Sequence, residues 1–220
     1  MEELLGQLFG GEGLTTSLKI LLVFSLLGLL PAMILTMTSF VRIIVVLSFI
    51  RQGIGAPQTP PNQVIIGLAM FLTLFVMTPI TDQVREVAVD PYLAGQITDV
   101  QAISRAADPL RDFMLSQTRQ SDLALFYNAT NTPLPQAPED VTLKIAIPAF
   151  VVSELTTAFQ MSVIVILPFL VVDLAVASLL MSMGMMMVPP TTISLPVKLL
   201  LFVLVDGWQL VAGSLLKSYT

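Results

Sequence analysis

Apolar residues run almost unbroken over positions 18–50, 64–80, 145–188 and 193–216, and residues 81–144 gather more than half of the charged side chains, from Asp82 and Arg85 to Asp140 and Lys144. Runs this apolar read as membrane helices and the charged stretch as water-facing. The chain therefore divides into a polar segment 1–17, a first apolar block 18–80, a polar extracytoplasmic insert 81–144 and a second apolar block 145–220. The lengths are awkward for simple crossings. A span takes ~20 residues at ~1.5 Å each to cross ~30 Å of hydrocarbon. By that rise residues 64–80 reach only about 25 Å, while 18–50 and 145–188 are too long for one straight helix. Pro31 and Pro168 are the expected kinks or breaks, because proline removes a backbone hydrogen bond and crowds the preceding turn. The expected fold class is an all-α membrane protein of irregular helical hairpins with a polar, mostly helical insert.

The connection GIGAPQTPPNQV, residues 53–64, is a corner by composition. Asn62 is placed to cap the helix that follows, and Arg51 stands at the carbonyl end of the one before. In the insert, Asp108 with Pro109 and Ser121 with Asp122 have the form of helix starts, and NTPLPQAPED, residues 131–140, that of an irregular loop. Arg51 favours a cytoplasmic corner and an insert outside.

Composition narrows the chemistry. Of 220 residues 55% are hydrophobic and 11% charged, and cysteine and histidine are absent; the mean hydropathy is +0.87. That removes disulfides, thiol nucleophiles, imidazole bases and the commonest transition-metal ligands together. A net charge of −5 without a basic cluster excludes nucleic-acid binding. No phosphate-cradling glycine loop or metal-ligand spacing occurs. The reading is a chain with no enzyme activity, no catalytic residue, no cofactor and no metal site. The first residues, MEELLGQLFGGEGLTTS, lack the cationic start of a secretory signal. Either a signal was removed ahead of this numbering, or the apolar run from Leu18 does the targeting.

Arg42, Glu154, Asp173, Lys198 and Asp206 lie within or at the edges of apolar runs, where a bare charge costs several kcal/mol. Each needs a partner. Glu154, Lys198 and Arg119 of the insert are candidates for an ion pair or triad joining membrane blocks to insert, within one subunit or across a subunit boundary. The competing account is that these long side chains snorkel to an interface. Glu154 and Asp173 lie over 25 Å apart along a straight helix by a rise of ~1.5 Å per residue, too far for a catalytic carboxylate pair. The segment MSMGMMMVPP, residues 181–190, also stands out. Its helix should stop before Pro189. Unbranched, deformable methionines suit a seal that re-forms around whatever passes, and ordinary apolar packing at a helix end is the alternative. Gly184 serves either.

The stretch SFVRIIVVLSFIRQGIGAPQTPPNQVIIGLAMFLTLFVMTP, residues 39–79, resembles the FliP family of flagellar type III export-gate membrane proteins, whose injectisome relatives are called SctR. PLRDFMLSQTRQSDLALF, FVVSELTTAFQMSVIVILPFLVVDLAVASLLMSMGMMMVPP and LPVKLLLFVLVDGWQLVAGSLLKSY resemble the same family, so the likeness runs from about Ile20 to Tyr219. Members of that family usually carry a cleavable signal peptide. The resemblance implies about five copies assembling with FliQ-type, FliR-type and FlhB-type proteins into a helical pore in the bacterial inner membrane, within the flagellar basal body and largely toward the periplasm. Unfolded flagellar proteins would pass through it, with Met185, Met186 and Met187 as the closed constriction. Arg119, Glu154 and Lys198 fall in matching motifs and become an expected inter-subunit charge network, with Arg42, Asp173 and Asp206 as further buried charges. An injectisome gate homologue is the near alternative. A small-solute or ion transporter is a distant one, and the internal repeat it would carry is absent.

Overall fold

Arg42, Ile43, Val46, Leu47, Ile50 and Ile54 lie on one face of a helix, and that face is buried. The computed structural model describes residues 16–133, 135, 137–185 and 187–219. Their regular structure is helical throughout. Two units are distinguished, residues 1–36 and 37–220.

In the first unit, helix α1 (Thr16–Thr36) continues through Pro31 and exposes Leu21, Phe24, Met33 and Ile34. Thr36 ends it by donating its hydroxyl to the Met33 carbonyl at 2.8 Å. The apolar run 18–50 is therefore interrupted at residues 37–39, not at the expected Pro31.

The second unit is built around α2 (Phe40–Ile54), which ends at Gly55 in the left-handed region, φ 89°. Next comes α3 (Asn62–Val84), which continues through a π-helical turn (Arg85–Val89) and a short α4 (Asp90–Leu93). Together they make one helix of 32 residues, Asn62–Leu93, about 48 Å at ~1.5 Å per residue. The apolar segment that looked too short for a crossing belongs to a longer helix that continues into residues assigned to the polar insert. Asn62 does not cap this helix. Pro61 holds the cap position, and the Asn62 Oδ1 accepts from Arg51 Nη1 at 2.6 Å, which pins the corner.

Helix α5 (Asp99–Gln117) starts at a capping box in which Thr98 and Gln101 exchange side chain to backbone bonds, and it passes through Pro109. Asp108 with Pro109 is thus mid-helix, whereas Ser121 and Asp122 do open α6 (Gln120–Ala129). A 3-10 turn (Pro138–Asp140) leads into α7 (Leu143–Ser182).

Helix α7 is continuous for 40 residues, about 60 Å at ~1.5 Å per residue. It passes through Pro148 and Pro168, so the expected break at Pro168 is absent. A proline deletes one N–H and leaves the rest of the ladder, and packing along the helix can hold the remainder. Here α2 lies along α7, with Ala158 and Phe169 in the same core as Ile43, Leu47 and Ile50. Helices α8 (Pro190–Leu204) and α9 (Gly207–Lys217) meet at a 63° bend. At that bend Gly207 lies against the Phe202 ring so closely that a Cβ would come within 2.3 Å of it.

Phe71 and Phe75 of α3 and Ile164, Val171 and Leu174 of α7 face outward, each well over half exposed. Among the described residues two helices are long and apolar enough to cross a membrane, or three if the bent pair counts as one span. Large apolar side chains facing outward along such helices fit a membrane location.

Candidate functional site

Three polar constellations tie the helices together, and the first lies at the N-terminal turn of α2. Arg42 is 2% exposed and Glu154 of α7 fully buried. Their side chains meet through Nε to Oε2 at 3.0 Å and through Nη2 to Oε1. Arg42 Nη2 also donates to Gln117 Oε1 at 3.3 Å, and Nη1 to both the carbonyl and the hydroxyl oxygen of Ser218 at 3.0 Å. The Tyr219 hydroxyl donates to Glu154 Oε2 at 2.6 Å, and its ring lies 3.9 Å beneath the guanidinium. A planar guanidinium can direct several donors at once, which makes a buried charge pair tolerable when each polar atom has a partner.

The second constellation joins α8, α7 and the end of α2. Lys198 Nζ donates to Asp173 Oδ2 at 2.6 Å and to the Gly53 carbonyl at 3.2 Å, and Ser194 donates to Asp173 Oδ1 at 2.6 Å. Lys198 is buried, whereas the Asp173 side chain is one-third exposed. Gly53 suits this crossing because a Cβ would come within 3.0 Å of Ile166 and 3.2 Å of Phe169.

The third constellation docks the polar stretch. Arg119, at the cap of α6, donates its backbone N–H to Ser153 Oγ at 2.8 Å and its Nη2 to Thr157 at 3.2 Å and Gln160 at 2.7 Å, all on α7. Ser153 in turn donates to Asp122 at 2.8 Å.

Arg119, Glu154 and Lys198 therefore do not meet one another within the chain; each has its own partners. Arg42 and Asp173, set apart in the sequence as further charges, are those partners for Glu154 and Lys198. Asp206, expected among the buried charges, is exposed in the single chain. It occupies the left-handed region at the α8–α9 bend, where its carbonyl accepts from the N–H groups of Gln209 and Leu210. Gln117, Ser218 and Tyr219 carry no signal that sequence reasoning could use, since ordinary polar residues at helix ends are common.

The methionine segment forms the turn between α7 and α8. Gly184 adopts φ 77°, which reverses the chain after Met183. Met185 is 39% and Met187 96% exposed. Met186 lies outside the described residues. The helix stops at Ser182, ahead of Pro189 as expected, and Pro189 caps α8.

The FliP family model matches residues 23–215. Among similar curated proteins, the flagellar biosynthetic protein FliP of Pectobacterium carotovorum is 54% identical over 210 residues, covering 96% of this chain and 81% of the relative. The protein of the same name from Bacillus subtilis is 46% identical over 208 residues, 94% of both chains. That of Aquifex aeolicus is 47% identical, covering 95% of this chain and 89% of the relative.

Proposed function

The chain belongs to the FliP family, and from that premise we propose that it is a core subunit of the flagellar type III protein-export gate, forming and sealing the pore through which unfolded flagellar proteins leave the cell. In this reading about five copies assemble with FliQ-type, FliR-type and FlhB-type proteins in the bacterial inner membrane, largely toward its periplasmic side, within the flagellar basal body. The chain performs no catalysis; energy is supplied elsewhere in the apparatus. The relatives' names support the flagellar system over an injectisome.

The observation that carries the gate is the methionine turn. A helix of 40 residues delivers to its end a reversal with Met181, Met183 and Met187 more than half exposed. Large apolar side chains held outward on a turn need something to cover them, and flexible thioethers from several copies can meet around an axis and part again. Replacing Met185, Met186 and Met187 with alanine should leave assembly intact, raise ion leak through the membrane and disturb motility. Unchanged leak in an assembled complex would reduce the methionines to packing.

A contact of Arg119, Glu154 and Lys198 across the subunit boundary is a further part of the proposal. Arg119 is its reachable member, being half-buried with its guanidinium on the α7 surface. Glu154 and Lys198 would enter through the pairs that hold them, so Arg119→Ala should weaken the assembled complex more than the loss of its bonds to Thr157 and Gln160 weakens the monomer. Detergent-resistant complexes as abundant as wild type would remove Arg119 from the interface.

A further inference from the structure

We infer that Ser218 and Tyr219 form a latch that closes over the Arg42 and Glu154 pair and so decides whether the end of α5 stays docked on the membrane helices. This does not depend on the export reading.

Arg42, Gln117 and Glu154 come from α2, α5 and α7. The bonds among them leave Arg42 Nη1 with Ser218 alone, through its carbonyl and hydroxyl at 3.0 Å. The Tyr219 hydroxyl completes Glu154 Oε2 and reaches the Ser39 carbonyl at 3.3 Å. In a pocket where Arg42 is 2% exposed and Glu154 fully buried, losing these partners strands charged donors and an acceptor away from water. The Tyr219 ring also stacks on Phe113 of α5 at 6.2 Å, and Phe113 packs edge-on against Phe150 of α7 at 5.8 Å. One side chain thus clamps α5 to α7 and covers the ion pair. A cleft of about 600 Å³ lined by Phe75, Pro79, Phe113, Gln117, Lys217 and Tyr219 adjoins it. Tyr219 both lines this cleft and touches the pair, so releasing it lets water reach the charges and loosens the Gln117 end of α5.

Hydrogen–deuterium exchange on the full chain in detergent tests this. Tyr219→Phe removes the hydroxyl and keeps the ring, and Ser218→Ala removes one acceptor; each should speed exchange over residues 110–117 severalfold. Tyr219→Ala should speed it about tenfold, because local opening exposes that segment without unfolding the rest. Exchange over residues 43–54 should stay at the wild-type rate. In a chain carrying Arg42→Met with Glu154→Leu, Tyr219→Phe should add nothing. Wild-type exchange over residues 110–117 in Tyr219→Phe and Ser218→Ala, or acceleration equal across the chain, would overturn the latch. Should Tyr219→Ala fail to fold, the two milder variants still decide it.

Discussion

At the scale of single residues, the two ion pairs differ in a way that sets their sensitivity to mutation. Arg42 and Glu154 are both out of water, whereas Asp173 keeps a third of its side chain exposed opposite Lys198. Removing one member of a fully buried pair leaves the other as an uncompensated charge, a loss of about 3–5 kcal/mol. A partly solvated pair can recover water instead, and its contribution is screened. Glu154→Gln should therefore destabilise the chain by about 3–5 kcal/mol and Lys198→Met, which leaves the one-third exposed Asp173 behind, by clearly less, as read by denaturant unfolding of the purified protein. Equal losses would contradict the burial argument. The sequence marked all four residues as expensive in an apolar setting and left open whether Glu154 meets Lys198 or Arg119 within one subunit or across a boundary; within the chain it meets Arg42. Charge and hydropathy say that a partner is needed and not which one, because Arg42 and Glu154 lie 112 positions apart.

At the scale of elements, the polar stretch is held by local signals as well as by docking. The capping box at Thr98 and Gln101 satisfies orphan N–H groups at the exposed start of α5, where no packed neighbour could replace them. Thr98→Ala should cost about 1 kcal/mol and raise amide exchange in the first turn of α5, leaving residues 110–117 as they were. That separates it from the latch, which acts at the other end of the helix. Proline is the element-level signal that misled. Pro31, Pro109 and Pro168 all sit inside continuous helices, while the interruption at residues 37–39 and the bend at Asp206 occur without one. The bend instead combines a left-handed Asp206 with the absent Cβ of Gly207 against Phe202.

At the scale of the whole molecule, the outward apolar faces of α3 and α7 must be covered by lipid or by neighbouring protein. Either cover is intolerant of a bare cation. Ile164→Arg, at a 68% exposed position well inside α7, should cost about 2.5–3.5 kcal/mol and lower the amount of chain recovered in the membrane fraction. An arginine at Thr142, exposed just ahead of α7, should leave recovery unchanged. Similar recovery for both would mean that this face is bathed by water.

The sequence by itself determined the helical class, the membrane character, the polar stretch, the corner at residues 53–64 and the end of α7 before Pro189. These follow from segment composition, length and turn chemistry, which are local properties. Only the tertiary structure decided that helix α3 runs on into the polar stretch, that α7 is unbroken, and that Glu154 belongs to Arg42, Lys198 to Asp173 and Tyr219 to the buried pair. Those outcomes depend on which distant side chains packing brings within bonding distance. A buried charge takes the partner that the fold delivers.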